Sequence, residues 1–297
     1  MRRLSVSLLL LLAAVSVSAD YREFRGWPVD AALEQKLRAA AEQTFAEFPK
    51  LEREDLAISL IDLNGGRADF NGDVPFYPAS VIKIFFMADI YLQKQQSLGD
   101  VDRALKEMIV VSDNDATAYL VDILADTCPG EELQGRSLRR FTERRRNINR
   151  HFSKLGYDIS AMMKPWSFGP YGRELQLLGE KRVNRNRLTA NDTAALMLWI
   201  ARGRAPGSTA MMELLHRQLD PVREDENQVK EFIGEALPAG SKLWSKAGWT
   251  SEVRHDAAYV ELPGGQKFVL VIFTRGQARD LTLVPKITRN ILEITYR

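Results

Sequence analysis

The chain has 297 residues, a formal net charge of +2 and 45% hydrophobic residues. Such a chain can bury the core of one large domain or of two closely packed ones, and its near-neutral balance argues against a nucleic-acid partner. One cysteine, Cys128, excludes an internal disulfide; three scattered histidines, His151, His216 and His255, form no HxH or HExxH spacing, so no metal and no cofactor is expected.

The chain opens "MRRLSVSLLLLLAAVSVSAD". Arg2 and Arg3 precede an apolar run from Leu8 to Val15, and Val17 and Ala19 supply small residues for cleavage before Asp20. This reads as a signal peptide over residues 1–19, because the run is too short for a comfortable membrane span. No later segment is long and apolar enough to cross a bilayer, so the mature chain is expected to be exported, periplasmic or extracellular, and without a membrane span.

Asp30 is a reasonable N-cap for a helix to about Phe45. "LAISLIDLNGGRADFN" predicts strand, Gly-Gly turn and strand, and "HDAAYVELPGGQKFVLVIFTRG" predicts a second such pair. "LTLVPKITRNILEITY" closes the chain as a helix, with Pro285 near its first turn. Between the ends, "VDRALKEMIVVSDNDATAYLVDILAD" and "TANDTAALMLWIARG" carry helical periodicity, the second capped by Thr189. Strands at both ends and helices between them indicate an α+β fold, an antiparallel sheet built from both chain ends and flanked by helices. The segment 136–150 holds Arg136, Arg139, Arg140, Arg144, Arg145, Arg146 and Arg150. It reads as a solvated helix face with Ile148 and Phe152 turned inward, rather than as a partner surface. Cys128, in "ADTCPGEE", reads as a loop residue.

Three short stretches carry the chemistry. In "FYPASVIKIFFMADIYL", Ser80 and Lys83 stand at i and i+3 and share a helix face. A serine hydroxyl needs a base, and a buried lysine whose pKa is pulled down can be one. In "VVSDNDATAYL", Ser112, Asp113 and Asn114 open a helix, either as plain capping residues or as a proton relay and a substrate-holding amide. In "KLWSKAGWTSEVRHDAAYVEL", Lys246 brings charge to an extended segment in which Gly248 permits close approach.

In the order S-x-x-K, S-D-N, K-x-G, these stretches resemble the active-site serine penicillin-recognising enzymes, class A β-lactamases among them. The resemblance covers most of the mature chain, residues 20–297. It implies an α/β part of about 20–75 and 240–297 and an all-helical subdomain of about 76–239, with the site between them. It further implies Ser80 as acyl-accepting nucleophile, Lys83 as its base and Ser112 as proton relay to the leaving nitrogen. Asn114 and Lys246 would hold the substrate, and the backbone N–H groups of Ser80 and Trp249 would form the oxyanion hole. The expected reaction is hydrolysis of a β-lactam or peptidoglycan-like small molecule by a monomer. The alternatives are a D-Ala-D-Ala peptidase, another amidase or esterase, and a covalent binder that does not turn over.

Three features depart from the family pattern. Ala247 replaces the third motif's hydroxyl, a loss of about 1.5–3 kcal/mol to a charged ligand, for which Ser251 or Arg254 could compensate. The omega-loop glutamate is either Glu174, within "YGRELQLLGEKRVNRNRL", or is replaced by Gly172 in a second register. The other reading of Glu174 is a plain surface carboxylate, as charged residues mostly are. The arginine-rich segment makes the stretch between S-D-N and the omega loop longer than is usual in the family and could overhang the groove and narrow the substrate choice. Beyond the third motif, His255 is either an extra titrating group near the site or, by strand alternation, a residue facing the opposite sheet surface; the latter is the plainer expectation.

Overall fold

A computed structural model describes residues 24, 26–97, 99–165, 169–220 and 228–296, so the expected signal peptide lies outside the described residues. The first helix, α1 (Ala31–Glu47), starts where expected, with Asp30 accepting from the N–H groups of Ala32 and Leu33. Strands β1 (Leu56–Asp62) and β2 (Arg67–Phe70) follow. The chain then runs through helices α2 (Lys83–Leu92), α3 (Val101–Lys106), α4 (Asn114–Ala125), α5 (Gly135–Lys154), α6 (Gly172–Leu178), α7 (Ala190–Ala201) and α8 (Ser208–Leu215). It returns as β3 (His216–Arg217), β4 (Lys242–Trp249), β5 (Val253–Glu261), β6 (Lys267–Arg275) and α9 (Leu283–Thr295).

The strands form one antiparallel sheet in the order β2-β1-β6-β5-β4-β3. Pairing of β1 with β6 brings the two ends of the chain together, as the α+β reading requires. Both faces are covered. Helices α1 and α9 pack with Ile58, Leu60, Leu270 and Ile272, while α7 packs with Ala57, Ile61, Val269 and Val271 on the other side. Alternate residues therefore meet different helices, which is why β6 reads as one continuous apolar run. Helix α7 is buried almost throughout, as a helix apolar on all sides must be, and Thr189 caps it by accepting from Asp192 N–H. Among the described residues no helix is long and apolar enough to cross a membrane.

Two local structures depart from the sequence pattern. The periodic stretch from Val101 to Ala125 is not one helix. A π-helical turn, Glu107–Val111, follows α3, and Ser112 then adopts a left-handed conformation (φ 65°). Asp113 restarts the helix by accepting from Ala116 N–H. The arginine-rich segment is an exposed helix face with Ile148 and Phe152 inside, as expected, apart from Arg145, which is fully buried. Its guanidinium bonds Glu174 at 2.5 Å, Asp122 at 3.1 Å and Thr127 Oγ1 at 2.9 Å, and Lys164 bonds Asp122 beside it. Two cations and two carboxylates thus fasten α6 to α4 and α5. Glu174 is correspondingly only 1% exposed and not the surface carboxylate that its residue type suggests.

Removing one partner from such a buried network strands the others, at a cost of about 3–5 kcal/mol. Arg145→Ala should lower the unfolding free energy by about that amount in urea denaturation. Arg146→Ala, which breaks only an exposed pair with Glu143, should leave it nearly unchanged.

Candidate active site

Ser80 lies in a 3-10 turn, Ala79–Ile82, that leads into α2. Ala79 before it is held at φ 45°, a conformation a non-glycine residue seldom adopts unless its surroundings impose it. Helix α2 is buried from Lys83 through Ile90, so the lysine amine starts inside the molecule. It reaches the S-D-N turn, donating to Ser112 O at 2.6 Å, Asn114 Oδ1 at 2.9 Å, Asp113 O at 3.2 Å and Ser112 Oγ at 3.3 Å. Burial pulls the Lys83 pKa down to about 7, with Asp113 pulling it weakly back up. The half-buried Ser80 hydroxyl is bonded to none of the described residues.

The third motif closes the cleft. Lys246 Nζ donates to the same Ser112 Oγ at 2.9 Å, so one hydroxyl stands between two amines from distant parts of the chain. Strand β3 pairs with β4 only at Leu243 and Trp244; beyond them side chains take the edge of β4, with Arg217 donating to Ser245 O and Gln228 Oε1 accepting from Ala247 N–H. A Cβ added at Gly248 would lie 2.7 Å from Ser80 N and 2.8 Å from Val81 N, so only glycine lets the strand sit flush against the serine turn. The next residue is Trp249, whose half-exposed ring leans on Phe232 at 5.4 Å.

Ser80, Lys83, Ser112, Asn114, Lys246, Gly248 and Trp249 are thus brought together. Arg254 and Glu174 are not. Register pairs Lys246 with Ala257 and Gly248 with His255, but Ala247 with Asp256 and Trp249 with Arg254. Arg254 therefore leaves the sheet on the face opposite Lys246, where it bonds Ala278 O and Glu231 Oε2, each at 3.1 Å, and covers Phe232. Glu174 is held in the Arg145 network, and its bonded partners include neither Ser80 nor Lys83.

His255 corrects the plainer expectation. It shares the face of Lys246, is fully buried and donates from Nε2 to Tyr77 O at 2.9 Å, while Nδ1 accepts from Thr274 N–H. Burial lowers its pKa to about 4, so it is neutral at physiological pH and serves as a fixed strut under the segment that enters Ser80.

Two further residues carry no motif. Gln228, fully buried, accepts from Lys246 Nζ at 2.5 Å and donates to Val110 O at 2.8 Å. Arg217 bonds Ser245 O at 3.0 Å and Ile109 O at 2.9 Å. Both stitch β4 to the turn before Ser112. Nothing in their sequence surroundings, "LLHRQLD" and "ENQVKEF", marks them, because their role lies in contacts more than 100 residues away in the chain.

The model of the beta-lactamase enzyme family matches residues 92–295. The chain belongs to the beta-lactamase enzyme family. The match starts after Ser80 and Lys83 and includes the second and third motifs. Solved structures with the same fold include a beta-lactamase from Sphaerobacter thermophilus, 21% identical, with TM-score 0.60, covering 86% of this chain and 96% of that one. PBP-A is 18% identical, with TM-score 0.61 and coverage of 90% and 98%. A single-residue variant of PBP-A, an acyl-enzyme complex with penicillin G, is 18% identical, with TM-score 0.59 and coverage of 88% and 95%. No curated protein matches the chain.

The close approach of β4 gives a direct test of the site. Gly248→Ala should push the strand away from the Ser80 turn and slow labelling of Ser80 by a fluorescent penicillin at least tenfold. Far-ultraviolet circular dichroism should show an unchanged secondary-structure content.

Proposed function

We propose that the chain is an exported serine hydrolase of the β-lactamase type, which opens a β-lactam-like amide through an acyl-enzyme on Ser80. The observation that supports this most is the Ser112 hydroxyl held between Lys83 and Lys246, with β4 lying flush against Ser80 N. In this reading the free amine of Lys83 takes the Ser80 proton as Oγ bonds to the substrate carbonyl carbon. The oxyanion forms between the N–H groups of Ser80 and Trp249, each such donor contributing about 3 kcal/mol. Ser112 gives its proton to the departing nitrogen and recovers one from the lysines beside it. Asn114 and Lys246 hold the substrate. The penicillin G acyl-enzyme formed by the PBP-A variant is the same class of intermediate.

Water must then clear the ester. Glu174 would be the deacylating carboxylate, but its bonds to Arg145 and Lys164 occupy it. Burial raises its pKa, while those cations oppose the rise. This favours a second reading for the fate of the intermediate: a long-lived acyl-enzyme, as in a covalent binder or a slow peptidase of the D-Ala-D-Ala type. A chromogenic cephalosporin separates the two. Steady colour development supports a β-lactamase, a single equivalent supports the slow form, and no colour with Ser80 unlabelled refutes both.

The base is tested independently. Lys83→Ala should abolish Ser80 acylation, and a mutant acylated at the parent rate would remove Lys83 from the mechanism. In the parent protein the reactive amine is the deprotonated form. Acylation should therefore fall about tenfold per pH unit below a pH near 7 and level off above it, as read by intact-mass time courses.

A further inference from the structure

A cavity of about 730 Å³ adjoins the Ser80 turn and has no part in the chemistry above. Its walls include Phe76 and Tyr77, which lead into Ser80, the segment Ser251–Val253 beyond Trp249, and a run of arginines after α6. Arg275 in that wall is paired with Asp55 at 2.6 Å, and Arg187 with Asp158 at 2.9 Å. Arg182 and Arg185 have no carboxylate partner among the described residues. Arg185 lies 3.7 Å over the Tyr77 ring, a stacking that fixes the plane of its guanidinium while leaving its edge N–H groups to point elsewhere. Arg182 is held at φ 57°, in the left-handed region. The opposing charges in the wall are Asp55, which is paired with Arg275, and Glu252.

The order of groups along β4 and the turn that follows it gives the cavity a side. Lys246 meets Ser112, where the nitrogen departs; Gly248 meets Ser80; Ser251 and Glu252, farther on, meet the cavity. Tyr77 is three residues from Ser80, so their Cα atoms are at most about 11 Å apart. A substrate acylating Ser80 can reach the cavity with a short substituent on its acyl side.

We propose that this cavity is an anion subsite, in which Arg185 and Arg182 receive a carboxylate carried by the acyl side chain of the substrate. A planar guanidinium held in place binds a carboxylate through two parallel hydrogen bonds, and two arginines without an ion pair among the described residues supply the charge, against the one carboxylate of Glu252. The inference deepens the acyl-transfer reading by naming a substrate class, and it rests on that reading only for its kinetic test.

Two penicillins that differ by one group serve as probes: benzylpenicillin and its analogue with a carboxylate on the benzylic carbon. The carboxylated compound should acylate Ser80 at least tenfold faster in the parent protein. The double variant Arg182→Ala/Arg185→Ala should lose that preference while keeping its rate with benzylpenicillin. Arg185→Lys, which keeps the charge and loses the planar fork, should retain part of it. Calorimetric titration with phenylmalonate, the free side chain, should show binding to the parent and at least tenfold weaker binding to the double variant. Equal rates in the parent, a preference that survives in the double variant, or absence of phenylmalonate binding overturns the subsite. If neither penicillin acylates Ser80, the β-lactam reading fails, and the phenylmalonate titration alone decides the subsite.

Discussion

The rest of the site depends on a buried amine. Lys83 begins a helix that is apolar on every side, and burial costs its charged form so much that its pKa falls to about 7. That one constraint explains the environment around it. A desolvated ammonium needs acceptors, and the chain supplies two carbonyls, an amide oxygen and a hydroxyl from residues 112–114. Those groups converge only because the π-helical turn and the left-handed Ser112 break what would otherwise be a continuous helix. Local irregularity in the backbone thus supplies the acceptors that surround the buried amine.

The sheet performs the second task, which is closure. Strand β4 is nearly an edge, covered by only two residues of β3, and an edge offers unpaired backbone groups to whatever lies beside it. Here its neighbour is the Ser80 turn, admitted by the missing side chain of Gly248. Gln228 and Arg217 tie the same strand to the carbonyls before Ser112, and His255 supports the residue that leads into Ser80. None of the three has the exposure of a group that meets substrate. They fix positions, and a site built on hydrogen bonds among three distant segments requires that.

The buried quartet of Arg145, Lys164, Asp122 and Glu174 belongs to a different part of the molecule. It balances two charges of each sign under the short helix α6, beside the apolar contacts that Leu177 and Leu178 make in a cluster with Phe141, Met162 and Met163. Glu174 serves that balance through one oxygen, while its other oxygen is buried without a hydrogen-bond partner. A carboxylate so committed cannot readily act elsewhere without disturbing the fastening of α6.

The sequence by itself determined the parts whose causes are local. Asp30 and Thr189 cap their helices through neighbours two or three residues away, the strand pairs follow from apolar runs joined by glycine turns, and the S-x-x-K, S-D-N and K-x-G stretches, in that order, carry the family resemblance. Only the tertiary structure decided which groups meet. It turned Arg145 alone among seven arginines inward, placed His255 on the site's side of the sheet and Arg254 on the other, and recruited Gln228 and Arg217 from segments that carry no motif. The physical reason is common to all of these. Each depends on pairing register or on partners far off in the chain, and a side chain's own neighbours in sequence hold no record of the charge or carbonyl it will face once folded.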